Sequence, residues 1–281
     1  MKVPAGWPLI APAAILLVVF MGLPYLNIAV MSFRVPGVGQ PYGVGFTLAN
    51  YAKFFGDWFL LSQMVNTLLI GAVTTLACLI LGFPVAWQLA RGGARWRAIG
   101  YGLVLSPLLV GIVIRSYGWT ILLGNNGLFN RTLMNAGLIE RPLPLMYNTL
   151  GIVIALVHVF LPFMILPIMS AIQGIDPSLE SAARSLGGSR AISFRRIVLP
   201  LALPGIQAGC ILVFVLSLSP YVTPSLIGAM RVKTVSVTVV DALIDTFQWP
   251  FGSALALILS ATGAAVVLAF GRLTRARWRN G

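Results

Sequence analysis

The stretch DPSLESAARSLGGSRAISFRRIVLP, Asp176 to Pro200, is the one long polar segment in an otherwise apolar chain. Asp176 offers a side-chain oxygen to cap a helix that opens on Pro177, where a missing N–H costs nothing. Leu179, Ala182, Ala183 and Leu186 then recur at helical spacing on one face. Gly187-Gly188 ends that helix, and Gly187 is the residue expected in a left-handed backbone. Ser189 is placed to cap a second helix carrying Ile192, Arg195 and Arg196, and Pro200 sits at the start of the next apolar run. The predicted product is a helix-turn-helix with several arginines. Its apolar stripe is too narrow to anchor in lipid and suits packing on protein.

Outward from this hairpin the chain reads as membrane. Of 281 residues, 58% are hydrophobic and 9% charged, with a mean hydropathy of +0.94. That composition belongs to an integral membrane protein of several spans and excludes a soluble enzyme. The net charge of +13 falls in short clusters between apolar runs, which topology explains better than nucleic acid does. Cys78 and Cys210 sit in separate apolar runs and read as small packing residues.

Six spans are predicted, in one transmembrane domain covering residues 1–281. The first runs from Leu9 to Phe33, too long for a signal-peptide core of about 7 to 15 residues and so expected to stay uncleaved. The others are Met64 to Ala90, with Pro84 as a possible kink, Ile99 to Leu123, Asn148 to Ile172, Leu199 to Leu218, and Ser253 to Phe270. The Gly-, Pro- and aromatic-rich segment from Arg34 to Ser62 and the loop from Asn125 to Tyr147 are placed outside. With both ends in the cytoplasm, twelve of the nineteen Lys and Arg residues lie inside, and the hairpin within 173–199 is cytoplasmic.

Arg115 is the one strong cation placed within a span. It is either a site residue facing the bundle or a snorkelling side chain helped by Tyr117 and Trp119 as belt aromatics. His158 is the only histidine and lacks partners for a metal site, so it reads as an interhelical hydrogen-bonder before a pathway residue. In SLSPYVTPSLIG, Ser217 to Gly228, Pro220 and Pro224 prevent a simple continued helix, and Ser217, Ser219, Tyr221 and Thr223 offer hydroxyls. This stretch is either a broken helix lining a cavity or an ordinary helix end. Lys233 to Phe247 reads as a short outer helix or strand. Asp241 and Asp245 share a face there if it is helical, either to meet a cationic substrate or as a solvated face.

The spacing of Ala182, Ala183, Gly187, Ile197, Leu199 and Pro200 resembles the cytoplasmic loop signature of permease subunits of binding-protein-dependent ABC importers. One position departs: the family's glutamate before the two alanines is Ser181 here, and Glu180 lies one residue earlier, about 100° around the helix. TLANYAKFF (Thr47 to Phe55), NTLLIG (Asn66 to Gly71), VIRSYGWTILLG (Val113 to Gly124) and SLSPYVTPSLIG are similar to segments of the spermidine/putrescine-type branch. The resemblance implies an all-α type I importer permease of six transmembrane helices, in a bacterial inner membrane, forming half of a pathway beside a second permease chain in a heterodimer. It implies coupling to an ATPase dimer through Glu180, Ser181, Ala182, Ala183 and Gly187, with solute brought by a periplasmic binding protein. ATP-Mg would be bound by the partner ATPase and no cofactor by this chain, since none of its three lysines follows glycine in a G-K-[ST] loop. The implied solute is a polyamine, with an amino-phosphonate or other small anion as the alternative. A gradient-driven carrier is disfavoured because the spans hold no carboxylate relay.

Overall fold

The computed structural model describes residues 7–37, 40–229 and 231–279, with side chains described from 12 to 272 within those ranges. The elements are helical throughout: α1 (Trp7–Ser32), α2 (Ala49–Gly56), α3 (Trp58–Arg91), α4 (Ala94–Leu105), α5 (Ile112–Leu123), α6 (Leu128–Asn135), α7 (Thr149–Gln173), α8 (Pro177–Ser185), α9 (Arg190–Ser193), α10 (Leu199–Leu218), α11 (Val235–Val240) and α12 (Trp249–Arg279). Among the described residues the only β pairing is one antiparallel bridge between Arg34 and Phe46.

Among the described residues, five helices are long and apolar enough to cross a membrane: α1, α3, α7, the run Arg190–Leu218 that contains α10, and α12. The predicted third span is the exception. It is a pair of helical segments, Ala94–Leu109 and Ile112–Asn135, bent by 97° at Val110-Gly111, and it makes the sixth crossing only if the pair is one span. Pro107 sits in the short 3-10 turn Ser106–Leu109, and Val110 and Gly111 leave the helix with extended backbones. Hydropathy averages over such a break and does not register it.

The chain folds as two compact units, residues 1–64 with 235–268, and residues 65–234 with 269–281. The second unit is organised on α7. That helix is apolar on every side, which is the pattern of a helix buried all round. Ile152, Met164, Ile168 and Ile172 are fully buried. Asn148 caps its start, its Oδ1 accepting from Gly151 N–H at 2.9 Å. α10 packs along α7 through Gly205 and Gly209, one helical turn apart. A Cβ on Gly205 would lie 2.5 Å from the Pro167 carbonyl oxygen, and one on Gly209 would lie 2.9 Å from Met164 Sδ. Lipid gives apolar helices no hydrophobic reason to associate, so close approach over small residues supplies the packing. Cys78 is fully buried and Cys210 partly buried against the same core, both as free thiols.

In the first unit α1 keeps an apolar surface open all round, with Val18 and Phe20 among its exposed side chains and none of its apolar window buried. The segment after it is tied down by Asn50, whose Nδ2 donates to the carbonyls of Ser32 and Arg34. Lys53 stands 4.2 Å over the ring of Phe251. The stretch predicted as helix or strand is helical, α11 followed by a π-helical turn Asp241–Asp245.

Candidate functional site

Two groups of residues carry the chemistry, the polar hairpin and the broken segments of the third and fifth spans. The hairpin is built by local capping. Asp176 Oδ1 accepts from Ser178 N–H at 2.8 Å at the start of α8. The Ser178 N–H, aided by the Ser178 side chain, holds the Asp176 carboxyl below its ordinary value. A lowered carboxyl value means that the cap is in place at neutral pH and is lost as pH falls through that value. At the other end Gly187 has φ +85°. Gly188 N–H reaches the Ala183 carbonyl at 2.9 Å and Gly187 N–H the Arg184 carbonyl at 3.0 Å, the paired bonds of a Schellman turn. Ser189 Oγ then accepts from Ile192 N–H at 3.3 Å to begin α9.

The candidate coupling residues do not share one environment. Ser181 and Ala182 are exposed, Ala183 is half-buried, and Gly187 is exposed at the turn. Glu180 points inward, its carboxylate accepting from Arg91 Nη2 at 2.6 Å. Leu186 is 89% exposed, and with Leu179 and Ile192 it gives the hairpin an open apolar face beside the exposed Arg184, Arg190, Arg195 and Arg196.

In the broken third span, Arg115 is tied to the break. Its Nη1 donates to the Pro107 carbonyl at 2.6 Å and the Val110 carbonyl at 3.4 Å. Those oxygens stand at the end of the preceding helical segment and in the break itself. A guanidinium satisfies them and complements the negative end of the helix dipole. Arg97 does the same at the end of α3, donating to the carbonyls of Ala90 and Gly92.

Trp119 and His158 come together across α5 and α7, Trp119 Nε1 donating to His158 Nδ1 at 3.2 Å with the rings edge to face. His158 is therefore an interhelical hydrogen-bonder. Thr223 and Ser116 are both buried and share a hydrogen bond of 3.1 Å, joining α5 to the helical segment that leads into the π turn Pro224–Gly228. Ser116 was missed by sequence reasoning, although a small hydroxyl in an apolar span is the available signal. Ser217 and Ser219 spend their hydroxyls on carbonyls of their own helix, Val213 and Leu216. Tyr117 and Tyr221 keep exposed ring faces. Asp241 and Asp245 belong to the other unit, where Asp241 is half-buried and Asp245 exposed.

No family model matches the chain. It is 32% identical over 260 residues to the spermidine/putrescine transport system permease protein PotB of Haemophilus influenzae, covering 92% of this chain and 90% of that protein. It is also 32% identical over 209 residues to a probable molybdenum ABC transporter permease protein of Haloferax volcanii, 74% of each chain. A chain in the crystal structure of a bacterial alginate ABC transporter, in complex with an alginate pentasaccharide-bound periplasmic protein, matches with a TM-score of 0.73. The match covers 98% of this chain and 96% of that one, and at 18% identity it is a likeness of fold.

Proposed function

Because the chain belongs to the spermidine/putrescine-type permease subunits of ABC importers, we propose that it forms half of a polyamine pathway beside a second, different permease chain. A periplasmic binding protein delivers the solute, and a partner ATPase dimer holds and hydrolyses ATP-Mg. The hairpin's open face of Leu179, Leu186 and Ile192, rimmed by arginines, suits an apolar groove with an acidic border on that ATPase. Nucleotide acts by its differential affinity for the closed ATPase dimer, and the spans follow through the hairpin.

Arg115 carries the solute reading. With one nitrogen of its guanidinium, Nη1, engaged by the Pro107 and Val110 carbonyls, the strong cation of the third span has a local role as a helix cap that calls for no anionic solute. The relative named for spermidine and putrescine supports the same reading, and the open faces of Tyr117 and Tyr221 offer an ammonium group about 0.5–2 kcal/mol per contact. Uptake by the complete transporter in proteoliposomes should be measured for spermidine, putrescine, molybdate and an amino-phosphonate. Only the polyamines are expected to accumulate. In Arg115→Gln, whose amide keeps one donor for the break, polyamine uptake should stay within roughly threefold of the parent. ATP-driven uptake of an anion that collapses in this variant would overturn the polyamine reading.

The distribution of basic residues supports cytoplasmic termini and a cytoplasmic hairpin in a bacterial inner membrane. A cysteine at Ser189 should react with an impermeant reagent only from the cytoplasmic side, and one at Asn135 only from the periplasmic side. Labelling of both from one side would show that α7, the long apolar helix between them, does not cross, and would overturn the six-span arrangement.

A further inference from the structure

Phe83, Trp87 and Arg91 follow one another at four-residue intervals along the last turns of α3, and so form one stripe. Both roots of the hairpin rest on it. Phe194, just after α9, meets Phe83 and Trp87 edge to face, with ring centres 5.7 and 5.3 Å apart. Arg91 holds the other root with two nitrogens. Nη1 donates to the Ile175 carbonyl at 3.1 Å, just before α8, and Nη2 donates to the Glu180 carboxylate at 2.6 Å, within it. Side-chain exposure is only 22% for Arg91 and 23% for Glu180, and the guanidinium lies 5.9 Å from the Trp87 ring centre.

We propose that Arg91 is the positioning residue through which movement of the hairpin reaches α3. The proposal rests on the importer reading above and adds the route by which the hairpin drives the spans. A guanidinium is a planar fork, and its two donors fix the distance and the angle between the α3 terminus and α8 together. Partial withdrawal from water strengthens and stiffens the contact. The register of Glu180 follows from this use. One residue before the position where the family places its glutamate, it is rotated about 100° around α8, and here that rotation brings it onto Arg91. Phe194 is the apolar counterpart, so α8 and α9 are each tied to the same span.

The test uses the complete transporter in proteoliposomes and reads solute uptake per ATP hydrolysed. In Arg91→Gln and in Glu180→Gln this ratio should fall roughly tenfold. Arg91→Lys keeps the charge but reaches the two acceptors less well, and should fall between Arg91→Gln and the parent. The exchange of both, Arg91→Glu with Glu180→Arg, should recover part of the loss, because it restores the charge pair, a non-additive contact in a double-mutant cycle, but leaves the Ile175 carbonyl without its donor. A ratio within about twofold of the parent in both Gln variants would overturn the proposal. So would loss of the ATPase from the purified complex with an unchanged ratio in whatever remains assembled, since that outcome makes the pair a docking contact. Failure of both Gln variants to accumulate in the membrane, with the exchange failing too, would make the pair a folding element and overturn it likewise. Absence of ATP-driven uptake in the parent complex would instead refute the importer reading, and is told apart because it needs no variant.

Discussion

Gly205→Leu is expected to leave almost no folded permease in detergent extracts, and Gly205→Ala to lower the midpoint of thermal unfolding. A Cβ at this position would lie 2.5 Å from the Pro167 carbonyl oxygen, 2.5 Å from Ala171 Cβ and 3.2 Å from Ile168 Cα. Two of these three atoms are backbone of α7, which cannot swing aside as the end of a side chain can. Relief requires α10 to move off α7, exposing a core that includes Met164, Ile165 and Ile168. Overpacking of a well-filled core costs about 1–3 kcal/mol where side chains can adjust, and a clash against backbone belongs at or above the top of that range. Gly102 in α4 is the control, since a Cβ there has nothing within 4 Å and Gly102→Ala should be neutral or slightly stabilising. Size-exclusion profiles after a heating series would show the difference. A Gly205→Leu protein that melts with the parent would mean that α7 and α10 do not pack through this glycine.

The second large effect is expected at Gly187. Gly187→Val should insert and accumulate normally, yet lose solute-stimulated ATP hydrolysis and uptake by about an order of magnitude or more. The cause is conformational, since a Cβ at Gly187 would meet nothing within 4 Å. The backbone there has φ +85°, which costs an L-residue about 1–2 kcal/mol and is worst for a β-branched one. Relaxing that strain breaks the bonds from Gly187 N–H to Arg184 and from Gly188 N–H to Ala183, so the turn no longer aims α9 back along α8. Gly187→Asn, which tolerates the left-handed region, should retain most of the activity. Coupling as strong in the valine variant as in the asparagine variant would separate the turn from the docking function.

The features legible in the sequence are those set by neighbours within a turn or two. Asp176, Gly187 and Ser189 cap and end the hairpin helices through partners two or three residues away, so composition and spacing suffice to place them. The spans are legible for a similar reason. An apolar run must satisfy its own backbone within the run, which makes it a helix whatever surrounds it. Gly205 and Gly209 show the limit: their spacing is visible in the chain, but that they face α7 is decided by packing. Arg115 could be read only as site or snorkel, because its partners are carbonyls at a break that averaged hydropathy passes over. Ser116 needs Thr223, 107 positions on, and Glu180 needs Arg91, 89 positions back. No local rule links residues so far apart. Their roles are decided when helices pack, because a buried polar group must take whatever partner the neighbouring helix presents.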